Sequence, residues 1–494
     1  MKSFFSIIIF AIIFPLNSFA ESYLVKYDTT TKSNFFQSTL NDQGFKVKKF
    51  EFLPWFLIEK TSETKSLSNL DMKSFLQSLP GVSYVQPDYP VKLLNDFKVT
   101  DPILREMITE KMKTNPFPMP TNGKVEDNPA IPPFTEDRGT GEDPNFGQQW
   151  GMKDIEVKKA WQKTRGSKDI VVAVLDTGVD YTHEDLQPNM WRNPGEVGKD
   201  ENGQDKSTNG KDDDGNGFID DVVGWDFVSN DNKPFDLTLS MFEIILGGGN
   251  PGHGTHCAGN VGARAGNGKG IAGVAPNVKI MALRFLSEKG QGKTSGALKS
   301  LEYAIKNGAQ ILSNSWGSEG EDSKENKDNE ALKEMIRFAE EKGVLFVAAA
   351  GNGRGGKGYS NDNDSKPAYP ASYDMDIIIS VAALDSEGQL GKFSNWGNST
   401  VDIGAPGVKV FSTVPGSKYA DTVVDLFGMK VTWDGTSMAA PHVSGAAALY
   451  WSLYPEKSWR EVKSAILDSA VKIPSMNQKS VSEGKLNVNS LLQI

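Results

Sequence analysis

The chain has few of the groups that staple or anchor proteins. Cys257 is its only cysteine, so an intrachain disulfide is excluded. No basic run of the density that nucleic acid demands appears. The formal net charge of −10, with an isoelectric point near 5.2, favours solubility and argues against a nucleic-acid partner. Beyond the first twenty residues no window is apolar enough to span a bilayer. Histidine is scarce, four in 494 residues, and the helical His-Glu-x-x-His pattern of zinc sites is missing. What is present is length: the chain can bury a large core and hold more than one folding unit.

The one long apolar run comes first. Lys2, an apolar core from Phe4 to Leu16 and then Ser18-Phe19-Ala20 make residues 1–20 a signal peptide, cut before Glu21. The core is short for a membrane anchor and carries Pro15. An exported protein, periplasmic or extracellular, is expected. Residues 21–94 then change period repeatedly. Tyr23–Tyr27 reads as a strand, Phe35–Leu40 as helix, and Phe45–Ile58 as two strands broken near Pro54. Leu67–Leu79 reads as an amphipathic helix and Val82–Leu94 as a last strand. That βαββαβ order predicts a small α+β, ferredoxin-like sandwich. In 95–143 prolines at 102, 116, 118, 120, 129, 132 and 133 punctuate a polar segment, read as a linker open to nicking. An ordered arm wrapped on a domain is the alternative.

Residues 144–494 alternate apolar strands with helices. Ile170–Leu175, Val278–Leu286, Gln310–Leu312, Val344–Ala350 and Ile377–Ala383 are continuous apolar runs. Ser295–Lys306 and Glu330–Lys342 are helical. This predicts an α/β domain with a mostly parallel sheet and helices on both faces. In such sheets function collects beyond the carboxyl ends of strands, where Asp176 and Asn352 fall.

The chemistry converges on Asp434-Gly435-Thr436-Ser437-Met438, ahead of a buried helix running to about Leu453. Thr436 and Ser437 suit an N-cap, and Pro441 is tolerable only near the helix start. A serine hydroxyl needs a base to become a nucleophile, and an imidazole oriented by a buried carboxylate supplies one. Asp176-Thr177-Gly178, His253-Gly254-Thr255-His256 and Gly435-Thr436-Ser437 carry the three side chains. Taken singly, each also fits a cap, turn or packing role.

Together, VLDTGVDYTHEDL, GHGTHCAGNVG, GIAGVAP, SNSWGS, AAAGN and DGTSMAAPHVSGAAAL make the chain resemble the subtilisin-like serine proteases, the subtilase family. The resemblance covers most of 144–494. It implies a serine endopeptidase working through an acyl-enzyme, with Asp176 orienting, His253 as base and Ser437 as nucleophile. It implies Asn352 as an oxyanion donor, and Ser315, Trp316 and Gly317 as the strand that pairs with substrate. It further implies a zymogen whose own propeptide, ending near Gly81–Asp88, inhibits the cleft. A monomer acting on protein or peptide substrates, with no organic cofactor, is expected. The alternatives are a narrow processing protease or a silent subtilase that only binds protein segments. His183, His256 and His442 are read as structural, and Cys257 as buried and inert. Glu319, Glu321 and Asp322 are read as a solvated acidic loop, with a preference for basic substrates as the other reading. Met241–Leu246 ahead of three glycines is read as core packing, with a cleft wall or a mobile lid as the other readings. The chain is read as ending with the catalytic domain.

Calcium is also expected. Asp212, Asp214, Asn216, the Phe218 carbonyl and Asp220 alternate around a glycine turn like the first part of an EF-hand, although Val223 stands where the bidentate glutamate belongs. The resemblance adds a second site with Asp185 and Asn267.

Overall fold

The computed structural model describes residues 22–28, 33–62, 64, 69–94, 97, 103, 105–107, 109–110, 129–133, 141–319, 326–426 and 429–494. The signal-peptide reading, most of the linker prolines, and Glu321 and Asp322 lie outside them. Two compact units divide the chain, Met1–Asp88 and Tyr89–Ile494.

In the first unit, strands β1 (Ser22–Tyr27), β2 (Phe45–Lys49), β3 (Trp55–Lys60) and β4 (Val82–Pro87) form an antiparallel sheet ordered β2-β3-β1-β4. Helices α1 (Ser33–Asn41) and α2 (Asn69–Ser78) complete it. Tyr23, Val25 and Tyr27 alternate along β1 and so share one face. They bury against Phe36 and Leu40 of α1 and Met72 and Leu76 of α2.

The expected last strand, Val82–Leu94, is corrected by the structure. It breaks at Asp88-Tyr89, and the rest becomes β5 (Pro90–Leu93) in the second unit. Pro87 and Pro90 explain the break, because neither has an N–H to continue a ladder.

The second unit is built on nine strands. In chain order they include β6 (Val171–Asp176), β7 (Gly224–Asp226), β8 (Lys279–Arg284), β10 (Ile311–Asn314), β12 (Leu345–Ala349), β13 (Ile378–Leu384) and β14 (Ile403–Pro406), with β15 (Val471–Lys472) and β16 (Gly484–Lys485) at the edge. Their order is β15-β16-β14-β13-β12-β10-β6-β8-β7, parallel throughout except the β15–β16 pair. The central strands are buried at every position, as a sheet covered on both faces requires. Between them lie α3 (Met241–Gly247), α4 (His253–Gly262), α5 (Thr294–Lys306), α6 (Glu330–Glu341) and α7 (Thr436–Leu453). Helix α7 is buried all round from Thr436 to Trp451, which marks it as the central helix of the unit. A separate three-stranded sheet has β5 in its middle, between β11 (Trp316–Gly317) and β9 (Gln291–Lys293).

Parts of the expected linker are ordered on this unit. Tyr181 donates its hydroxyl to the Pro129 carbonyl at 2.8 Å, Arg192 donates to Pro132 at 3.0 Å and Gln187 to Pro133 at 2.8 Å. Among the described residues, no helix is long and apolar enough to cross a membrane.

Candidate active site

Asp176 ends β6, His253 opens α4 and Ser437 is the second residue of α7, so three elements bring the three side chains together. His253 Nδ1 donates to Asp176 Oδ1 at 2.8 Å, with both groups fully buried. The same Oδ1 accepts from the Thr177 N–H at 2.7 Å. Burial works against the imidazolium, but the Asp176 carboxylate overrides it and holds His253 well above its usual value. Ser437 Oγ donates to the Ser315 carbonyl at 3.1 Å, and no group bonds His253 Nε2 among the described residues.

The cap expected at Thr436 or Ser437 is corrected. Gly435 is the N-cap residue, and no side chain caps the helix. Thr436 Oγ1 instead accepts from the Gly351 N–H and donates to Asn352 Oδ1 at 2.9 Å. The Thr436 N–H donates to that oxygen as well, at 2.8 Å. Its oxygen is committed to Thr436, which leaves the NH2 group as the donor end of the Asn352 amide, and the residue lines the cleft cavity. The Ser437 N–H belongs to the first helical turn, which has no intrahelical acceptor and lies at the positive end of the dipole. Both donors suit a developing oxyanion.

Pro441 falls inside α7, not at its first position. It has no N–H for the Ser437 carbonyl four residues back. That carbonyl accepts instead from Ser315 Oγ at 2.9 Å and from the Cys257 thiol at 3.4 Å. Burial pushes the Cys257 thiol up, so it stays protonated and acts as a donor.

Two residues the sequence reading missed hold Asp176 and His253 in place. Buried Asp236 accepts from Thr177 Oγ1 at 2.8 Å, Asn250 Nδ2 at 2.6 Å, and the Thr255 N–H and Oγ1 at 2.8 and 2.6 Å. It thus ties the neighbour of the carboxylate to the base's helix. Asn250 Oδ1 accepts from Gly252 N and His253 N, supplying the cap that Gly252 lacks. Burial pushes Asp236 up to about 6, although the hydrogen bonds from Thr255, Asn250 and Thr177 oppose it. No local pattern announces either residue.

The remaining histidines pack. His256 Nε2 donates to the Val410 carbonyl and its ring stacks on Trp433 at 4.2 Å, and burial lowers it to about 3. His442 Nδ1 donates to the Met438 carbonyl, and burial lowers it to about 4. His183 Nε2 donates to the Lys418 carbonyl. Glu319 corrects its reading as a solvated residue. It is only partly exposed, and its Oε1 accepts from the Gly353 N–H at 3.1 Å and Asn395 Nδ2 at 3.0 Å. Burial pushes it up to about 7. Met241–Gly247 is a helix closed by a Ser240–Glu243 capping box, with Ile244 and Ile245 buried, while Gly247, Gly248 and Gly249 line the cleft cavity.

Of the acidic loop, Asp212 and Asp214 converge with Glu196, which the sequence reading missed; one oxygen of each lies within 4.8 Å of the others. Glu196 Oε1 accepts from the Asp213 N–H at 2.7 Å, while its buried Oε2 has no hydrogen-bond partner among the described residues. That orphaned oxygen beside two carboxylates fits a hard divalent cation. Asn216 spends its Oδ1 on the Phe218 N–H and its Nδ2 on Asp214 and Asp221. Asp220 is not in the group: both its oxygens accept from the Gly210 N–H. Asp185 and Asn267 do meet. Asn267 Nδ2 donates to Asp185 Oδ1 at 2.8 Å, and Ile271 N to Oδ2.

The fold and this geometry define a class, the serine proteases of subtilisin type. Comparison with known proteins agrees. The model of the Subtilase family matches residues 167–489, and the chain belongs to that family. It is 35% identical over 327 residues to the thermophilic serine proteinase of Bacillus sp. (strain AK1), covering 66% of this chain and 63% of that one. It is 33% identical over 355 residues to thermitase of Thermoactinomyces vulgaris, covering 72% and 99%. Among solved structures, fervidolysin from Fervidobacterium pennivorans, described as a keratinolytic enzyme related to subtilisin, superposes with a TM-score of 0.64. It is 25% identical, over 96% of this chain and 61% of that one.

Proposed function

We propose that the chain is an exported serine endopeptidase made as an inhibited zymogen. The observation that carries this reading is the buried 2.8 Å His253–Asp176 pair, brought together with a serine at a helix amino terminus. Rotation about the Ser437 side chain takes its hydroxyl from the Ser315 carbonyl to His253 Nε2. His253 removes the proton as Oγ bonds the scissile carbonyl carbon, and Asp176 holds the tautomer and the cation that forms. The Asn352 amide and the Ser437 N–H bind the oxyanion. His253 then protonates the leaving amine, and a water repeats the sequence on the ester. Burial of Asp176, His253 and Ser437 supports this, since charges shielded from solvent interact strongly.

Substrate backbone would pair with Ser315, Trp316 and Gly317, an addition that tolerates many sequences. Inhibition is supported by β5, which lies along that strand. Export rests on residues 1–20. Calcium would be held by Glu196, Asp212 and Asp214, and would neutralise carboxylates that otherwise repel. A site with Asp185 and Asn267 has less support, because their polar atoms already satisfy one another.

A fluorophosphonate probe tests the reading. It should label Ser437 in the processed protein, and Ser437→Ala should abolish the label. A processed, folded chain that takes no label would be a silent binder.

A further inference from the structure

We infer that Glu319 is a positioning residue for the oxyanion donor: its carboxylate fixes the backbone that carries the Asn352 amide and ties it to the strand Trp316–Gly317. The inference rests on the endopeptidase reading and deepens it.

Asn352 sits in a loop with no regular structure, just past β12. Its neighbours Gly351 and Gly353 have φ of 112° and 71°. Glycine loses more freedom on folding than any other residue, so a donor between two of them stays aimed only if the loop is held from outside. The Ala350 carbonyl accepts from Asn361 Nδ2 at 2.8 Å, and the Gly351 carbonyl from the Asn395 N–H at 2.9 Å. The Gly351 N–H goes to Thr436 Oγ1 at 3.1 Å. The next two N–H groups, of Asn352 and Gly353, both go to the Glu319 carboxylate, the second at 3.1 Å on Oε1. Asn395 Nδ2 gives that oxygen a further bond at 3.0 Å. Bonds to an ionised acceptor are the stronger kind.

The carboxylate is seated closely. A Cβ on Gly351 would meet Glu319 Oε1 at 2.3 Å and Asn395 Nδ2 at 2.4 Å. The backbone leading to Glu319 is fixed as well. Trp316 and Gly317 are laddered to β5, and Ser318 exchanges both backbone bonds with Tyr369, at 2.9 and 3.2 Å. One side chain thus carries the rigidity of that strand into the glycine loop. From the other side Thr436, next to the nucleophile, donates twice to Asn352 Oδ1. Asn352 is held by its main chain from Glu319 and by its side chain from Thr436, with the NH2 group left to donate. A preorganised donor needs no rearrangement as charge develops, and a misplacement of about 1 Å costs on the order of 10²-fold.

Glu319 also lines the cleft cavity with Asn352 and Gly353, where a carboxylate could instead read a basic substrate side chain. Its bonds to Asn352, Gly353 and Asn395 favour the positioning role, because they satisfy the carboxylate within the protein.

The test is a double-mutant cycle on the processed enzyme, with active sites counted by fluorophosphonate and folding checked by circular dichroism. Glutamine keeps the size of Glu319 but puts an NH2 among donors. Glu319→Gln should lower kcat at least tenfold and leave KM within threefold. In an Asn352→Ala background the same substitution should cost less than threefold, because the donor it positions is gone. Glu319→Asp, which keeps the charge and draws it back by one methylene, should lose less and lose it by the same route. A peptide boronate, whose adduct on Ser437 puts an oxygen where the oxyanion forms, should weaken in step with kcat. Equal losses with and without Asn352 would overturn the inference, as would a loss confined to KM. So would a loss seen only with lysine, and not leucine, before the scissile bond, which would make Glu319 a reader of substrate. Failure of the endopeptidase reading looks different: wild type would then neither turn over nor take the fluorophosphonate.

Discussion

Gly254 follows the base and has no room for a side chain. An added Cβ would sit 2.0 Å from the Gly178 carbonyl oxygen and 3.1 Å from Asp176 Cβ. The Gly254→Ala variant must therefore push the start of α4 off the end of β6 by about 1 Å to restore ordinary contact. That motion stretches the 2.8 Å His253–Asp176 hydrogen bond beyond hydrogen-bonding range. A misplacement of about 1 Å costs on the order of 10²-fold in rate, about 2.7 kcal/mol of barrier. Overpacking adds about 1–3 kcal/mol of destabilisation. The assay is turnover of a fluorogenic peptide substrate, with active sites counted by fluorophosphonate. Circular dichroism checks that the fold persists. If the folded variant turns over within threefold of wild type, the clash does not reach the catalytic pair and the reasoning is wrong.

Three further outcomes are expected. Asn352→Ala should lower kcat by about 10²–10³ with KM nearly unchanged, a magnitude that comes from the equivalent donor in subtilisin itself; a loss confined to KM would reassign Asn352 to substrate binding. Asp236 keeps its proton up to about pH 6 in the fold, whereas an unfolded aspartate loses it near 3.8. Its contribution to stability is therefore full below pH 4 and falls by about 3 kcal/mol as pH rises through 6. Unfolding of Ser437→Ala with and without Asp236→Asn, from pH 3 to 8, should show that difference, and parallel pH curves would refute it. Calcium at about a hundred times its dissociation constant should stabilise the protein by about 2.7 kcal/mol. Glu196→Gln should abolish the gain in melting temperature, whereas Asp220→Asn should keep it, and the reverse pattern would return the site to Asp220.

The parallel sheet was legible because its strands are unbroken apolar runs, such as Val171–Leu175 and Leu345–Ala349, and strands buried on both faces need no alternation. Helices α5 and α6 were legible from their periodicity. Asp176, His253, Asn352 and Ser437 were legible from local motifs, each at an element's end. Asp236, Asn250 and Glu196 were not, because they act across the long stretch between Asp176 and His253, through contacts that no short window contains. The break at Asp88-Tyr89 was missed for a similar reason: Val82–Leu94 has one continuous strand pattern, and only pairing with β9 and β11 gives its second half separate work. The cap at Ser437 was misread because serine's usual role before a helix hides the carbonyl it points to.

Pro441 has one more consequence. A regular helix would spend the Ser437 carbonyl on its own ladder. Here that oxygen is claimed by Ser315, 122 residues earlier in sequence, and by Cys257, 180 residues earlier. The nucleophile's peptide reaches its final seat only when three chain-distant segments have met, and contacts of that span form late because loop closure must come first. Chemical competence is thereby timed to the end of folding, when the rest of the polypeptide is no longer an open target for its own nucleophile.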